Sequence, residues 1–504
     1  MEKRLLKNTF LLYIRMIISV IISLYTSRII LEALGIEDYG IYNIVGGTVA
    51  VVGFLGATMS ASTSRFLSIA IAEGSQDNLQ GLFATSFSLH LILAGIILLF
   101  GESIGLWFVN NILNVPSTQM VAVNIVFQLS LFSTCISIIQ IPYNALIVAH
   151  EDMQAFAYLE ILNSFLKLGV AYITLLLSGN KLIIYSLGIF LIACVMRSLY
   201  IRYSTKKYIK GRVKFSIDKR FTKSLASFSG WDILGHLGFT ARQQGTNIIL
   251  NIFFGAVINA ASGIATTVQG IISSFSNNIV LATRPHIIKT YAKKDYSQFQ
   301  SLMANVSVIS LLMILAITMP VIINIQAILS IWLTKIPPYC AQFTILCMAS
   351  AIVSSISSVY LIGIHATGEV KQSSIGRNIV YTLSIVILYF LLREGYSPIW
   401  AYILIVCTQI VTIINDAAIL RNAFSISNQL KLCIKNLFLI AISIGTAILA
   451  HNIPPFSHKF LTILSNSVIY LILFLTTSFI LVLNKKQRSE LLIKFGLHRE
   501  GKRC

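Results

Sequence analysis

Residues 223–295 read KSLASFSGWDILGHLGFTARQQGTNIILNIFFGAVINAASGIATTVQGIISSFSNNIVLATRPHIIKTYAKKD. Two long apolar segments are joined here by a short turn, Phe253–Phe254–Gly255, and a basic tail from Arg284 to Lys294 closes the stretch. Asp232, His236 and Arg242 interrupt the first segment. A charge in hydrocarbon is costly and normally faces a protein interior or a wet cavity, so ionisable residues inside a span are functional candidates by default.

The rest of the chain has the same character. Of 504 residues, 56% are hydrophobic and 11% charged, with a mean hydropathy of +0.81. Soluble domains carry about 25% charged residues. A chain this apolar lacks the polar skin of a soluble globule and reads as an all-α polytopic membrane protein. The seven cysteines are scattered, mostly within apolar runs, and form neither a disulfide framework nor a metal motif. The first apolar run carries Arg15 and has no small-residue cleavage site, so it reads as an uncleaved span.

A spanning helix needs about 20 mostly apolar residues. Fourteen candidates satisfy this, separated by short turns marked by Gly, Pro or Asn, with one longer loop at 204–223. The net charge of +20 is explained by topology rather than by nucleic acid. With the N-terminus inside and spans alternating, 30 of the 38 Lys and Arg residues fall on inner segments and 4 on outer loops, the other four lying within spans. That split obeys the positive-inside rule and puts both termini in the cytoplasm.

The chain also repeats itself. At an offset near 220, Leu34–Gly35 falls on Phe254–Gly255, and the terminal Arg65 falls on Arg284. Six spans separate the copies, so the repeats are parallel; substrate sites in such transporters lie at the repeat interface. The expected organisation is a six-helix bundle over 1–203, a basic cytoplasmic linker over 204–223, a second six-helix bundle over 224–420, two extra helices over 432–483 and a basic tail over 484–504.

No Walker A, GxSxG or HExxH pattern is present, and no loop is long enough to fold into a catalytic domain, so the chain reads as a non-enzyme without cofactor or metal. The candidates are charges inside spans. Arg15 and Arg28 lie thirteen residues apart, about 140° off a common helix face. Arg28 sits near the outer end, where its stem can snorkel. Arg242 is mid-span and has no carboxylate at facing spacing on its own helix, since i,i+3 and i,i+4 are the facing pairs. Asp232 and His236 are an i,i+4 pair. Glu160 and Lys167 share a face and read as neutralising each other, and Asp416 reads as solvated near an inner helix end. Asp232, His236, Asp416 and Glu160 are the candidates for ion coupling. His90 reads as a packing residue. The polar stripe Gln243, Gln244, Asn247, Asn251, with Asn259, Asn277 and Asn278, would be expensive against lipid and suggests helices lining something wet.

The segment 229–295, with the opening TSRIILEALGIEDYGIYNIVGG at 26–47, resembles the Wzx-type polysaccharide-biosynthesis flippases of the multidrug/oligosaccharidyl-lipid/polysaccharide (MOP) exporter superfamily. The resemblance implies about fourteen transmembrane helices, two parallel-repeat six-helix bundles around a central cavity plus two C-terminal helices. It implies a substrate of undecaprenyl-pyrophosphate-linked glycan, flipped across the bacterial inner membrane for O-antigen, capsule or exopolysaccharide synthesis, with a polymerase and assembly proteins as partners beside the bilayer. By position, Arg15, Arg28, Arg65, Arg242 and Arg284 match the cations that the family is thought to turn toward the pyrophosphate. An ion-coupled multidrug exporter of the same superfamily and a peptidoglycan-precursor (lipid II) flippase are the alternatives. A scaffold that transports nothing fits less well with charged, polar spans.

Overall fold

The computed structural model describes residues 2–73, 76–150, 152–209, 215–452 and 458–482, and the described residues contain helices and no strand. In chain order the helices are α1 (Glu2–Glu73), α2 (Gln76–Phe100), α3 (Leu106–Asn111), α4 (Met120–Ala149), α5 (Met153–Leu176), α6 (Lys181–Lys207), α7 (Lys219–Phe254) and α8 (Ala256–Ala292). They continue as α9 (Tyr296–Ile323), α10 (Ile325–Trp332), α11 (Cys340–Thr367), α12 (Val370–Arg393), α13 (Ile399–Ile419), α14 (Ile426–His451) and α15 (Lys459–Leu481). A π-helical turn, Gly101–Gly105, joins α2 to α3. Twelve helical stretches among the described residues are long and apolar enough to cross a membrane. Dividing the 14–49 stretch at Gly35 and adding α7 accounts for the fourteen expected helices.

Both turns of the repeated hairpin are made by glycine in the left-handed region. Gly35 breaks α1 with φ 76°, and Gly255 separates α7 from α8 with φ 75°. An L side chain would be strained at either position, and glycine adopts the angle freely. The two copies also meet at matching positions. A Cβ on Gly40 would fall 1.8 Å from the Ala256 carbonyl oxygen and 3.2 Å from Ala260 N; one on Gly263 would fall 2.7 Å from the Asn43 side chain. At the sequence offset of 220, residue 40 corresponds to 260 and 43 to 263. Each copy therefore presents the same face to the other. Small residues that let backbones approach are the usual glue of helices in membranes, where no hydrophobic effect drives them together.

The described contacts group the chain into two compact units. One comprises Met1–Ile264, Trp332–Cys340 and Ser374–Leu404; the other comprises Ala265–Ile331, Ala341–Ser373 and Ile405–Cys504. The first has a core at the foot of α2, α4 and α6, where Phe83 meets Tyr143 edge-on at 5.1 Å beside the fully buried Leu146, Ile147 and Tyr200. The second packs Phe299, Leu311 and Ile314 of α9 against Leu439 of α14 and Phe474 of α15. Two polar contacts fix that packing: Asn436 donates to Ser307 (3.1 Å), and Tyr470 Oη donates to the Leu315 carbonyl (3.1 Å). The two C-terminal helices are thus part of the second unit's core. Helix starts are set by local chemistry, since Asp152, Asn180 and Asp295 each accept a hydrogen bond from the backbone three residues on.

Candidate functional site

Among the described residues, Arg15, Arg28 and Arg242 of the first unit fall on two helix seams. One is the contact of α1 with α5. Three pairs run along it. The Arg15 guanidinium lies 4.9 Å from the centre of the Phe156 ring, Ser164 Oγ donates to Ser19 Oγ at 3.4 Å, and the Tyr25 and Tyr172 hydroxyls are 2.7 Å apart. Arg28 is half-buried near the last pair and has polar company of its own. Arg15 is also half-buried, and its Nε has no hydrogen-bond partner among the described residues.

Glu160 lies one turn beyond Phe156 on α5 and accepts a hydrogen bond from Tyr200 Oη of α6 at 3.0 Å. This corrects the expected pairing with Lys167. Among the described residues Lys167 makes no ion pair with Glu160, and its side chain is exposed. Seven residues make nearly two turns, so the two point along one face but some 10 Å apart along the axis; a neighbouring helix can supply a nearer partner.

The other seam is between α7 and α12. A Cβ on Gly238 would meet Asn378 Oδ1, and one on Gly245 would meet Ile385, so the two glycines bring the backbones together. Between these contacts Arg242 is 2% exposed. Its guanidinium sits 4.8 Å from the centre of the Tyr381 ring and 5.5 Å from that of Phe239. A cation over an aromatic face gains about 0.5–1 kcal/mol when exposed and about 2 when desolvated. The two rings therefore offset a large part of the ~2.5–3.5 kcal/mol that insertion scales assign to a mid-span arginine. Sequence spacing could not show this cover, because Tyr381 lies 139 residues away.

Part of the polar stripe on α7 and α8 is satisfied within the protein, with Asn251 and Asn259 fully buried. Asn251 Nδ2 donates to Asn259 Oδ1 (2.9 Å), Asn259 Nδ2 donates to the Asn247 carbonyl (2.9 Å), and Ser262 Oγ donates to Asn247 Oδ1 (2.8 Å). Tyr402 Oη and the Asn114 backbone N–H complete the network. Amides satisfied by one another need no water. Gln244 differs, with Oε1 buried beside Gly47 and no partner among the described residues. The side chains of Asn277 and Asn278 lie outside the described residues.

In the second unit Asp416 is fully buried, not solvated, and accepts from Ser373 Oγ at 2.6 Å. Helix α12 starts just before Ser373, so the serine is held in place to reach it. Arg284 is exposed. His90 is buried, and its Nδ1 donates to the Ser86 carbonyl (2.8 Å), as expected of a packing residue. The side chains of Arg65, Asp232 and His236 lie outside the described residues.

Helices broken at paired glycines and two C-terminal helices packed into the second unit make a fold that solved structures share. Among solved structures, the chain is similar to the lipid II flippase MurJ in an inward closed conformation, with a TM-score of 0.69 and 15% identity over 93% of this chain and 99% of that one. It is also similar to an inward-facing multidrug resistance MATE family transporter of the MOP superfamily, with a TM-score of 0.63 and 15% identity over 82% and 94%. A third is an outward-facing multidrug resistance MATE family transporter, at 0.61 and 15% over 85% and 96%. At such identities the likeness is one of fold. No family profile and no curated protein matches the sequence.

Proposed function

We propose that the chain is a flippase for undecaprenyl-pyrophosphate-linked oligosaccharide repeat units. It works by alternating access in the bacterial inner membrane, with both termini in the cytoplasm, and hands its cargo to a polymerase and assembly proteins. In this reading 1–203 and 224–420 are the two six-helix halves and 204–223 is their linker. The substrate's pyrophosphate is met by Arg242 and Arg15, with Arg28, Arg65 and Arg284 as further cations along the route. No nucleotide motif is present in the sequence, so the drive comes from an ion gradient or from consumption of product outside. Glu160, Asp232, His236 and Asp416 are the groups that would carry such coupling.

The observation that carries this reading is the state of Arg242, a buried guanidinium covered by two rings. A charge-assisted hydrogen bond contributes about 1.5–3 kcal/mol, and a pyrophosphate offers several to the planar fork of arginine. A ring contact contributes about 0.5–2 kcal/mol. A pyrophosphate offers Arg242 more than either ring contact contributes, which a neutral or cationic solute does not. The test is surface glycan per unit of membrane-inserted protein. Arg242→Lys keeps the charge, loses the fork and should retain partial export. Arg242→Ala should abolish export with protein level near that of wild type. Normal export by Arg242→Ala would remove this residue from the site and overturn the reading. A peptidoglycan precursor is the second candidate cargo, favoured by the likeness to the lipid II flippase over 93% of the chain. Reconstituted vesicles loaded with one lipid-linked glycan or the other separate the two.

A further inference from the structure

A second polar site lies in the second unit, lined by none of the residues assigned above to the substrate or to ion coupling. Between α9 and α14 is an open cleft of about 300 Å³. That is room for roughly ten waters at ~30 Å³ each, the scale of a phosphate with a small polar group on it.

Lys431 and Lys435 stand on the α14 wall, one turn apart, with Ser297, Ser301 and Asn305 opposite on α9. Among the described residues no carboxylate lines the cleft. Neither lysine makes an ion pair or hydrogen bond among the described residues. Gln300 is committed within the protein, donating to the Ala423 carbonyl at 3.0 Å and accepting from Asn428. The cleft therefore offers two unanswered cations and serine hydroxyls, an anion's environment. Lys435 is half-buried, nine residues into a spanning helix, or about 14 Å at 1.5 Å per residue. An ammonium left there without a counter-charge is expensive.

Both walls change character along the helices in the same direction. On α9 the polar row Ser297, Ser301, Asn305 gives way to Val308, with Ile309 and Met313 exposed just beyond. On α14 the row Lys431, Lys435 gives way to Phe438, 47% exposed, flanked by the exposed Ile434 and Leu437. A small free anion would use the first part only. A molecule with an anionic head and apolar tails uses both.

We propose that the α9–α14 cleft binds the phosphate headgroup of an anionic membrane phospholipid, with the acyl chains lying along the Phe438 and Met313 faces. By charge distribution this end of the bundle faces the cytoplasmic leaflet, where each lysine near an anionic surface is worth about fivefold in affinity.

The test is native mass spectrometry of the full-length purified protein offered equal amounts of phosphatidylglycerol and phosphatidylcholine of matched chains. Wild type should retain the anionic lipid about twenty-fivefold over the zwitterionic one, from two lysines at roughly fivefold each. The Lys431→Gln, Lys435→Gln double variant should fall close to parity, and Lys459→Gln, on another helix end, should match wild type. Equal retention of the two lipids by wild type, or unchanged preference in the double variant, overturns the proposal. So does complete displacement of the lipid by millimolar inorganic phosphate, which would mark a free-anion site. If the double variant fails to reach the membrane, Ser301→Leu fills the cleft from α9 with both lysines in place; retained preference in that variant also refutes the site.

Discussion

The two glycine-turned hairpins, residues 2–73 and 219–292, share a backbone plan and differ in how they hold charge. Each turns at a glycine with φ near 75°, and each offers the other a close-packed face at equivalent positions. In the first, Arg15 is half-buried over one ring, with Glu160 and Tyr200 close by on the helices behind it. In the second, Arg242 is sealed under two rings, and an asparagine network with no counterpart in the first hairpin runs above it. The offset of 220 carries Asn247, Asn251 and Asn259 onto Ser27, Leu31 and Tyr39. The scaffold is symmetric and the polar chemistry is not, so an argument from the repeat applies to the turns and the seam but not to the site.

The largest expected effect falls on the shared seam. Gly40→Val drives a side chain into the Ala256 backbone at 1.8 Å, which cannot yield. For Gly263→Val the nearest atoms are those of the Asn43 side chain at 2.7 Å, which can swing aside. Fluorescence-detected size-exclusion should show Gly40→Val at under about a tenth of wild-type folded protein, a cost above the ~1–3 kcal/mol of ordinary overpacking, and Gly263→Val well above it. Gly46→Ala, in open space, should match wild type. Equal losses at 40 and 263 would break the geometric account of the seam.

Next come the arginines. Arg242→Ala should lower export per molecule more than Arg15→Ala, because Arg242 has given up nearly all its contact with water and Arg15 only part. Tyr381→Phe keeps the ring and should leave the thermal midpoint unchanged, while Tyr381→Leu uncovers the cation and should lower it, by about 1–2 kcal/mol of stability. An equal response from the two Tyr381 variants would show that the hydroxyl, and not the ring, is what matters.

A smaller effect is expected of Asn259→Leu, which strands Asn251 and Asn247 within the second hairpin. Hydrogen bonds between helices in membranes average about 0.6 kcal/mol, so the midpoint should fall by a degree or two, with function intact. The smallest lies at the foot of the helix that carries Phe156 and Glu160. Partial burial would raise the Asp152 carboxyl, but hydrogen bonds from Lys207, Tyr203, Tyr208 and the Ala155 backbone outweigh it and hold the group well below its ordinary 3.8. A depressed acid stabilises the folded state above its unfolded pKa and loses that contribution as the pH falls through the folded one. Asp152→Asn should therefore melt below wild type at pH 7, and the gap should begin to close only below about pH 4.

Much of this architecture is legible in the residues. Gly35 and Gly255 and the lengths of the apolar runs suffice for the helix count, the turns and the repeat. What covers each charge is not legible. A helix apolar on every side gives no sign of which face meets protein, so the direction in which Arg242 or Asn259 points stays hidden until the neighbours are known. Tyr381, Tyr200 and Ser373 reach their partners from other helices, and as single polar atoms in apolar runs they carry no spacing signal. The stripe of asparagines was legible as polar but not as self-satisfied, because the same amides serve equally for a dry ladder or a wet wall.

The meeting of residues 40 and 43 with 260 and 263 has the geometry of an isologous interface, one patch facing its own likeness. In a homodimer such a patch constrains both partners at once, since any substitution appears twice. Here the partners are joined in one chain and their sequences are separate, so each substitution appears once. The seam can keep its two-fold form while every position off the axis is free to differ, and a chain built in this way can hold one arginine half-buried and one covered, as no true homodimer could.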